Sequence, residues 1–165
     1  MTQPEELKIR IATPDDLDEI MKLVELASEE NGFLNPSMQK ILHEIWPALN
    51  QHNGLIGVIG DPGGIIQAGV LLRIGQMWYS DSTVLEERII FTHPDYRSAK
   101  GGRAKRLCEF SKHVSDTLGL PLLIGVLSNS RTEAKIRMYE RQFGKPSGTF
   151  FLYGAKTGEP LANRH

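Results

Sequence analysis

The chain has 165 residues, enough for one domain with a sizeable core. Its 19 basic and 20 acidic side chains leave a formal net charge of −1, which excludes a bulk field that would draw it to nucleic acid or membrane. A single cysteine, Cys108, excludes an internal disulfide and any multi-cysteine metal site, and no apolar run reaches bilayer-spanning length. Residues 1–6 are polar and acidic, unlike a signal or transit peptide, so the cytoplasm is the expected compartment.

In chain order, residues 7–11 alternate and predict a first strand. Thr13 follows as an N-cap, with Pro14 at the first helical position and Asp16 three residues after the cap. Leu17, Ile20, Met21 and Val24 give that helix an apolar face, and Asn31-Gly32 ends it. Asn35-Pro36 opens a second helix carrying Met38, Ile41, Leu42 and Ile45, which Pro47 should end or kink. Residues 54–60, the turn Asp61-Pro62-Gly63-Gly64 and residues 65–78 predict an antiparallel hairpin. A strand over 85–92 precedes a helix whose buried stripe is Ala104, Leu107, Cys108, Ser111, Val114 and Leu118. A strand over 121–127, a helix over 131–142 and a last strand over 148–153 complete the order. An antiparallel meander followed by β-α-β-α-β predicts an α/β (α+β) fold, a mixed, mostly antiparallel twisted sheet with helices on both faces.

The stretch with most chemistry in it is His93-Pro94-Asp95-Tyr96-Arg97-Ser98-Ala99-Lys100-Gly101-Gly102-Arg103-Ala104, between a strand and a helix. Glycines let consecutive N–H groups turn inward, and a helix start adds unpaired N–H groups and the positive end of its dipole. Arg97, Lys100, Arg103, Lys105 and Arg106 add charge suited to phosphate, although a solvated basic turn is the plainer alternative. No Gly-Lys-Ser/Thr closes a P-loop, and the dinucleotide spacing G-x-G-x-x-G is absent. Cys108 lies on the apolar stripe and reads as a buried, inert thiol.

From Ile9 to about Tyr153 the element order resembles that of the GCN5-related N-acetyltransferases, whose fold is the acyl-CoA N-acyltransferase fold. The specific part is Pro94-Asp95-Tyr96-Arg97 and the loop after it, compared with the cofactor signature Arg/Gln-x-x-Gly-x-Gly/Ala. Counted from Arg97, Lys100 takes the first glycine position and Gly102 the second; with one extra residue, Gly101 takes the first and Arg103 the second. A second signature, Asn-x-x-Ala-x-x-x-Tyr-x-x-x-Gly-Phe, is echoed by Asn129, Ala134, Tyr139 and Gly144 with altered spacing. The run from Arg131 to Arg141 also looks like that of phage and prophage acetyltransferases.

The resemblance implies one acetyltransferase-like domain over residues 1–156 with a tail over 157–165. It implies acetyl-CoA as co-substrate, no metal, and direct transfer of the acetyl group to a small-molecule or peptide amine in a ternary complex. Cofactor contacts would come from Ile90, Phe91 and Thr92 through their backbones, from Arg97, Lys100, Gly101, Gly102, Arg103 and Ala104 around the phosphates, and from Asn129. Asn129 is equally well placed to cap the following helix. Tyr139 takes the family's acid position beside the sulfur, or is a core tyrosine; an N–H near Phe91 would hold the oxyanion. Glu86 and Glu87 are the candidate bases, on opposite faces of the strand by alternation, with solvated charges as the alternative. The acceptor would be framed by residues 29–35 with Gln76, Trp78 and Tyr79. Phe150, Phe151 and Leu152 suit either a homodimer contact or the core. The main alternative function is a non-catalytic acyl-CoA-binding regulatory module. Nucleic-acid binding by the basic cluster is disfavoured by the neutral charge balance and the lack of interleaved aromatics, and His43-Glu44 does not complete a His-Glu-x-x-His motif.

Overall fold

Arg10 and Asp16 fasten the first strand to the first helix. In the computed structural model, which describes residues 7–97, 102–128 and 131–155, Arg10 Nη1 and Nη2 donate to the two oxygens of Asp16 at 2.9 and 2.8 Å. Arg10 Nε donates to the Gly60 carbonyl at 2.7 Å, and Asp16 also accepts from the Thr13 N–H at 2.9 Å. Strand β1 is only Arg10–Ile11, shorter than the 7–11 its alternation predicts, because its pairing covers those two residues alone. Pro14–Asp16 form a 3-10 turn that leads into α1, Leu17–Asn31. Gly32, at φ 55°, ends the helix in the left-handed region that glycine occupies without strain.

Ser37, rather than Asn35-Pro36, opens α2, Met38–Leu49, its Oγ accepting from the Lys40 N–H at 3.3 Å. Pro47 lies inside the final turn and does not end the helix, which continues to Leu49. The hairpin forms as predicted: β2, Gly54–Ile59, pairs antiparallel with β3, Ala68–Gln76, across a turn closed by Gly64 N–H on the Asp61 carbonyl at 2.9 Å. Strand β4, Thr83–Thr92, pairs antiparallel with β3 and parallel with β5, Leu122–Ile124. Helix α3, Arg103–Leu118, connects them, and α4, Thr132–Phe143, follows β5. The sheet order is β1-β2-β3-β4-β5.

Helices cover both faces. Ile20 and Leu23 of α1 and Ile45 and Leu49 of α2 pack with Ile56, Val58, Leu71 and Phe91 on one face. Leu107 and Val114 of α3 pack with Val70, Leu72 and Leu85 on the other. The α3 stripe is buried at Leu107, Cys108, Ser111 and Val114, whereas Leu118 is exposed.

Two expectations fail at the sheet's edge. Strand β5 is three residues long instead of spanning 121–127, and residues 148–153 form no strand. Strand propensity there goes unused because no ladder extends beyond β5 to receive it; Phe151 stays 93% exposed.

Candidate functional site

A bulge in β4 shapes the site. Leu71 faces Ile89 and Leu72 faces Glu87, so Arg88 is an extra residue with no partner of its own. The insertion reverses strand parity. Leu85 before it and Ile90 after it both lie in the α3 layer, while Ile89 and Phe91 turn to the α1–α2 layer. The parallel ladder ends at this same place, with Glu87 opposite Ile124, while β4 runs on to Thr92. Beyond that pair the two central strands part.

Main-chain groups of β4 face this opening. Leu85 N–H points to β5, donating to the Pro121 carbonyl at 2.8 Å, whereas His93 N–H points the other way, to Gln67 at 2.8 Å. Alternation back from His93 aims the Phe91 amide at β3 and leaves those of Ile90 and Thr92 facing the opening. The N–H suited to an oxyanion is therefore that of Ile90, one residue from the expected Phe91. Phe91 contributes its side chain to the core, beneath the Arg97 guanidinium at 4.8 Å from the ring centre.

At the start of α3, Gly102 takes a left-handed conformation, φ 61°, and no side chain among the described residues caps the helix. The first-turn amides of Arg103, Ala104 and Lys105 have no partner within the helix, and no acidic residue lies in that turn. Among the described residues, a Cβ on Gly102 would meet nothing within 4 Å. Arg97 and Arg103 are committed to protein partners. Arg97 donates to the Thr92 carbonyl at 2.9 Å and pairs with Glu30 of α1. Arg103 donates to Gln67 at 3.0 Å and to the Tyr96 carbonyl at 3.2 Å. Both brace the turn Pro94–Tyr96 that leads toward the helix. Lys100, Gly101 and Asn129 lie outside the described residues.

Where β4 and β5 part, Tyr139 of α4 donates its hydroxyl to Glu87 at 3.1 Å. Glu87 is buried, 8% exposed. Burial pushes its carboxyl up to about 7, opposed by the Tyr139 hydrogen bond and the Lys135 charge. Burial, then the Glu87 charge, raises the Tyr139 phenol far above its usual range, so it keeps its proton. The Cys108 thiol, also buried, is pushed up to about 12 and is inert as read. Glu86 turns to the opposite face and pairs with Arg88 at 3.1 Å, so the structure separates the two glutamates as alternation requires.

Sequence reasoning gave Lys135 no role and placed Glu30 only within the 29–35 segment that frames the acceptor. Lys135 Nζ donates to Ser128 Oγ at 3.0 Å, and burial lowers its pKa, with Glu30 and Glu87 acting in opposition. The available signal was its spacing, one turn before Tyr139 on the same face of α4. Trp78 and Tyr79 lie in the turn beyond β3, next to Thr83; seven residues at ~3.3 Å each separate Thr83 from Ile90, so they stand roughly 20 Å from the opening. Among the described residues no His/Cys/Asp/Glu group could hold a metal ion, and no helix is long and apolar enough to cross a membrane.

The five-stranded mixed sheet, parting between a β4 and a β5 joined by α3, is the acyl-CoA N-acyltransferase fold, the fold of the GCN5-related acetyltransferases. An acetyltransferase of Trypanosoma brucei is similar, with a TM-score of 0.65 and 19% identity over 89% of this chain and 98% of that one. The aminoglycoside acetyltransferase AAC(6')-Iy, solved with a bisubstrate analogue of CoA, has a TM-score of 0.67 and 15% identity, covering 90% and 97%. An integron cassette protein from the mobile metagenome of Cole Harbour Salt Marsh gives 0.66 and 20%, covering 94% and 91%. No protein-family model matches the chain, and no curated protein matches it in sequence. The likeness is one of fold.

Proposed function

We propose that this protein is an N-acetyltransferase that moves an acetyl group from acetyl-CoA to a small-molecule amine by direct attack in a ternary complex. The observation that carries the reading is the buried Glu87–Tyr139 pair, placed where β4 and β5 part. The fold of CoA-bound acetyltransferases such as AAC(6')-Iy supports it.

The residues present fit the co-substrate. The uncapped α3 N-terminus at Gly102, Arg103 and Ala104 suits a diphosphate, and the free main chain of Ile90 suits a peptide-like arm. Acetyl-CoA would supply the activated thioester. Ile90 N–H is placed to donate to a developing oxyanion. Tyr139, protonated throughout the neutral range, supplies a proton to a departing thiolate. Glu87, poised near neutrality, accepts the proton that the amine gives up and returns one to Tyr139 along their hydrogen bond. Arg97 and Arg103 hold the turn before the phosphate site. Lys100, Gly101 and Asn129 remain part of the proposed cofactor site. Glu86 is given no role.

The test is thiol release from acetyl-CoA with a panel of amines, alongside calorimetry of CoA. Thiol release that depends on the amine supports the enzyme. CoA binding with no release on any acceptor makes the chain a non-catalytic binding module. The exposed Phe150 and Phe151 support a homodimer, which sedimentation velocity would show as a doubled mass.

A further inference from the structure

Between α1, α2 and the sheet lies a cavity of about 260 Å³. Its walls are hydrocarbon: Leu23 and Val24 from α1, Ile41 from α2, Ile89 and Phe91 from β4. Gly69 of β3 belongs to the same wall, where a Cβ would stand 3.5 Å from a Val58 methyl and 3.8 Å from a Leu23 methyl; its lack of a side chain keeps that space open. An apolar cavity of about 150 Å³ accepts benzene, so this one, which is partly open to solvent, takes roughly ten carbon atoms at similar filling.

Its polar lining is Ser28 of α1 and, toward solvent, the side chains of Lys40, Glu44 and Arg88. One of them is incompletely satisfied. Glu44 Oε2 is buried with no hydrogen-bond partner among the described residues, and Arg73 and Arg88 approach it only to 3.5 and 3.7 Å. It retains an acceptor position for an N–H. Ile89 and Phe91, which line the cavity, flank Ile90, whose amide faces the opening between β4 and β5. The cavity therefore adjoins the proposed transfer site from the α1–α2 side.

We propose that this cavity receives the apolar body of the acceptor, which is a primary amine on a compact alkyl or aryl group of about ten carbons. The inference rests on the transferase reading and names its substrate class. The hydrocarbon walls take the body by the hydrophobic effect, and the amine is left to reach the opening beside Ile90. A polyhydroxylated aminoglycoside is excluded, because its hydroxyls would enter a wall that offers them almost no hydrogen-bond partners.

The experiment is calorimetric binding of 4-phenylbutylamine and of ethanolamine to the full chain, with thiol release from acetyl-CoA measured in parallel. Wild type should bind 4-phenylbutylamine at least tenfold more tightly than ethanolamine and acetylate it with a correspondingly lower KM. Ile41→Trp, which fills the cavity, should weaken that binding at least tenfold and leave the affinity for CoA unchanged; Val24→Trp is the second filling variant. Equal affinity of wild type for the two amines overturns the proposal even if neither variant folds. Tight amine binding never followed by thiol release overturns the acceptor assignment, and CoA affinity then shows whether the transferase reading falls with it. If Ile41→Trp instead impairs the use of decanoyl-CoA and spares amine binding, the cavity serves an acyl chain and the proposal fails.

Discussion

Tyr139 and Glu87 share one hydrogen bond, and the proposed mechanism gives them two separable jobs. Removing the Tyr139 hydroxyl leaves the ring beside Phe143 and takes away the proton donor. Tyr139→Phe should therefore lower kcat by ~10²–10⁴-fold, the usual worth of general acid help, with little change in CoA affinity. Steady-state kinetics paired with calorimetry checks both halves, and unchanged kcat would remove Tyr139 from the mechanism. Glu87 acts as a base only when ionised, and burial puts that transition at about 7. The kcat/KM profile of wild type should rise with pH through about 7, and Glu87→Gln should lower kcat/KM and abolish that limb. A limb that survives the substitution would assign it to the acceptor amine.

The element that matters most for the proposed co-substrate is α3, whose first-turn amides are uncapped among the described residues. Gly102→Glu would force a side chain into a left-handed position at φ 61° and bring a carboxylate to the amides that a phosphate needs. CoA binding should fall below calorimetric detection, while the left-handed backbone strain of about 1–2 kcal/mol lowers the melting temperature by only a few degrees. Undiminished binding would refute the phosphate site.

That helix was legible from its apolar stripe and from the glycine before it, as α1 was from Pro14, Asp16 and Gly32. The β2–β3 turn was legible because Asp61-Pro62-Gly63-Gly64 states its own conformation. The bulge at Arg88 was not: a solvated arginine in a polar strand stretch carries no mark of being the extra residue. Ile90 rather than Phe91 faces the opening for that reason. Residues 148–153 misled in the opposite sense, since β-branched and aromatic character records a preference and not a partner. Lys135 was passed over because a lysine on a helix is ordinarily solvated, and its proximity to Glu30 and Glu87 arises only when α1, β4 and α4 assemble.

At the scale of the whole molecule, two buried carboxyls pull stability in opposite directions with pH. Asp16 is held below the usual carboxylate range, chiefly by the Arg10 hydrogen bonds; its contribution is complete above about 3.8 and is lost as pH falls through its lower folded value. Glu87 is raised, so the folded state binds its proton more tightly; that contribution is complete below about 4.5 and is lost as pH rises through about 7. The difference between 4.5 and about 7 corresponds to about 3 kcal/mol for Glu87. The two groups contribute fully together only between roughly pH 3.8 and 4.5, and above about 7 the folded molecule carries the cost of an ionised, buried carboxylate at its proposed reaction centre. Thermal melting followed from pH 4.5 to 8 should therefore show stability falling across the range in wild type and falling much less in Glu87→Gln. Because the amide cannot ionise, the variant should be the more stable of the two at pH 8 despite its slower turnover. A variant that melts in parallel with wild type at every pH would show that Glu87 is ionised in the folded protein from the start, and would take away its place as the base that titrates near neutrality.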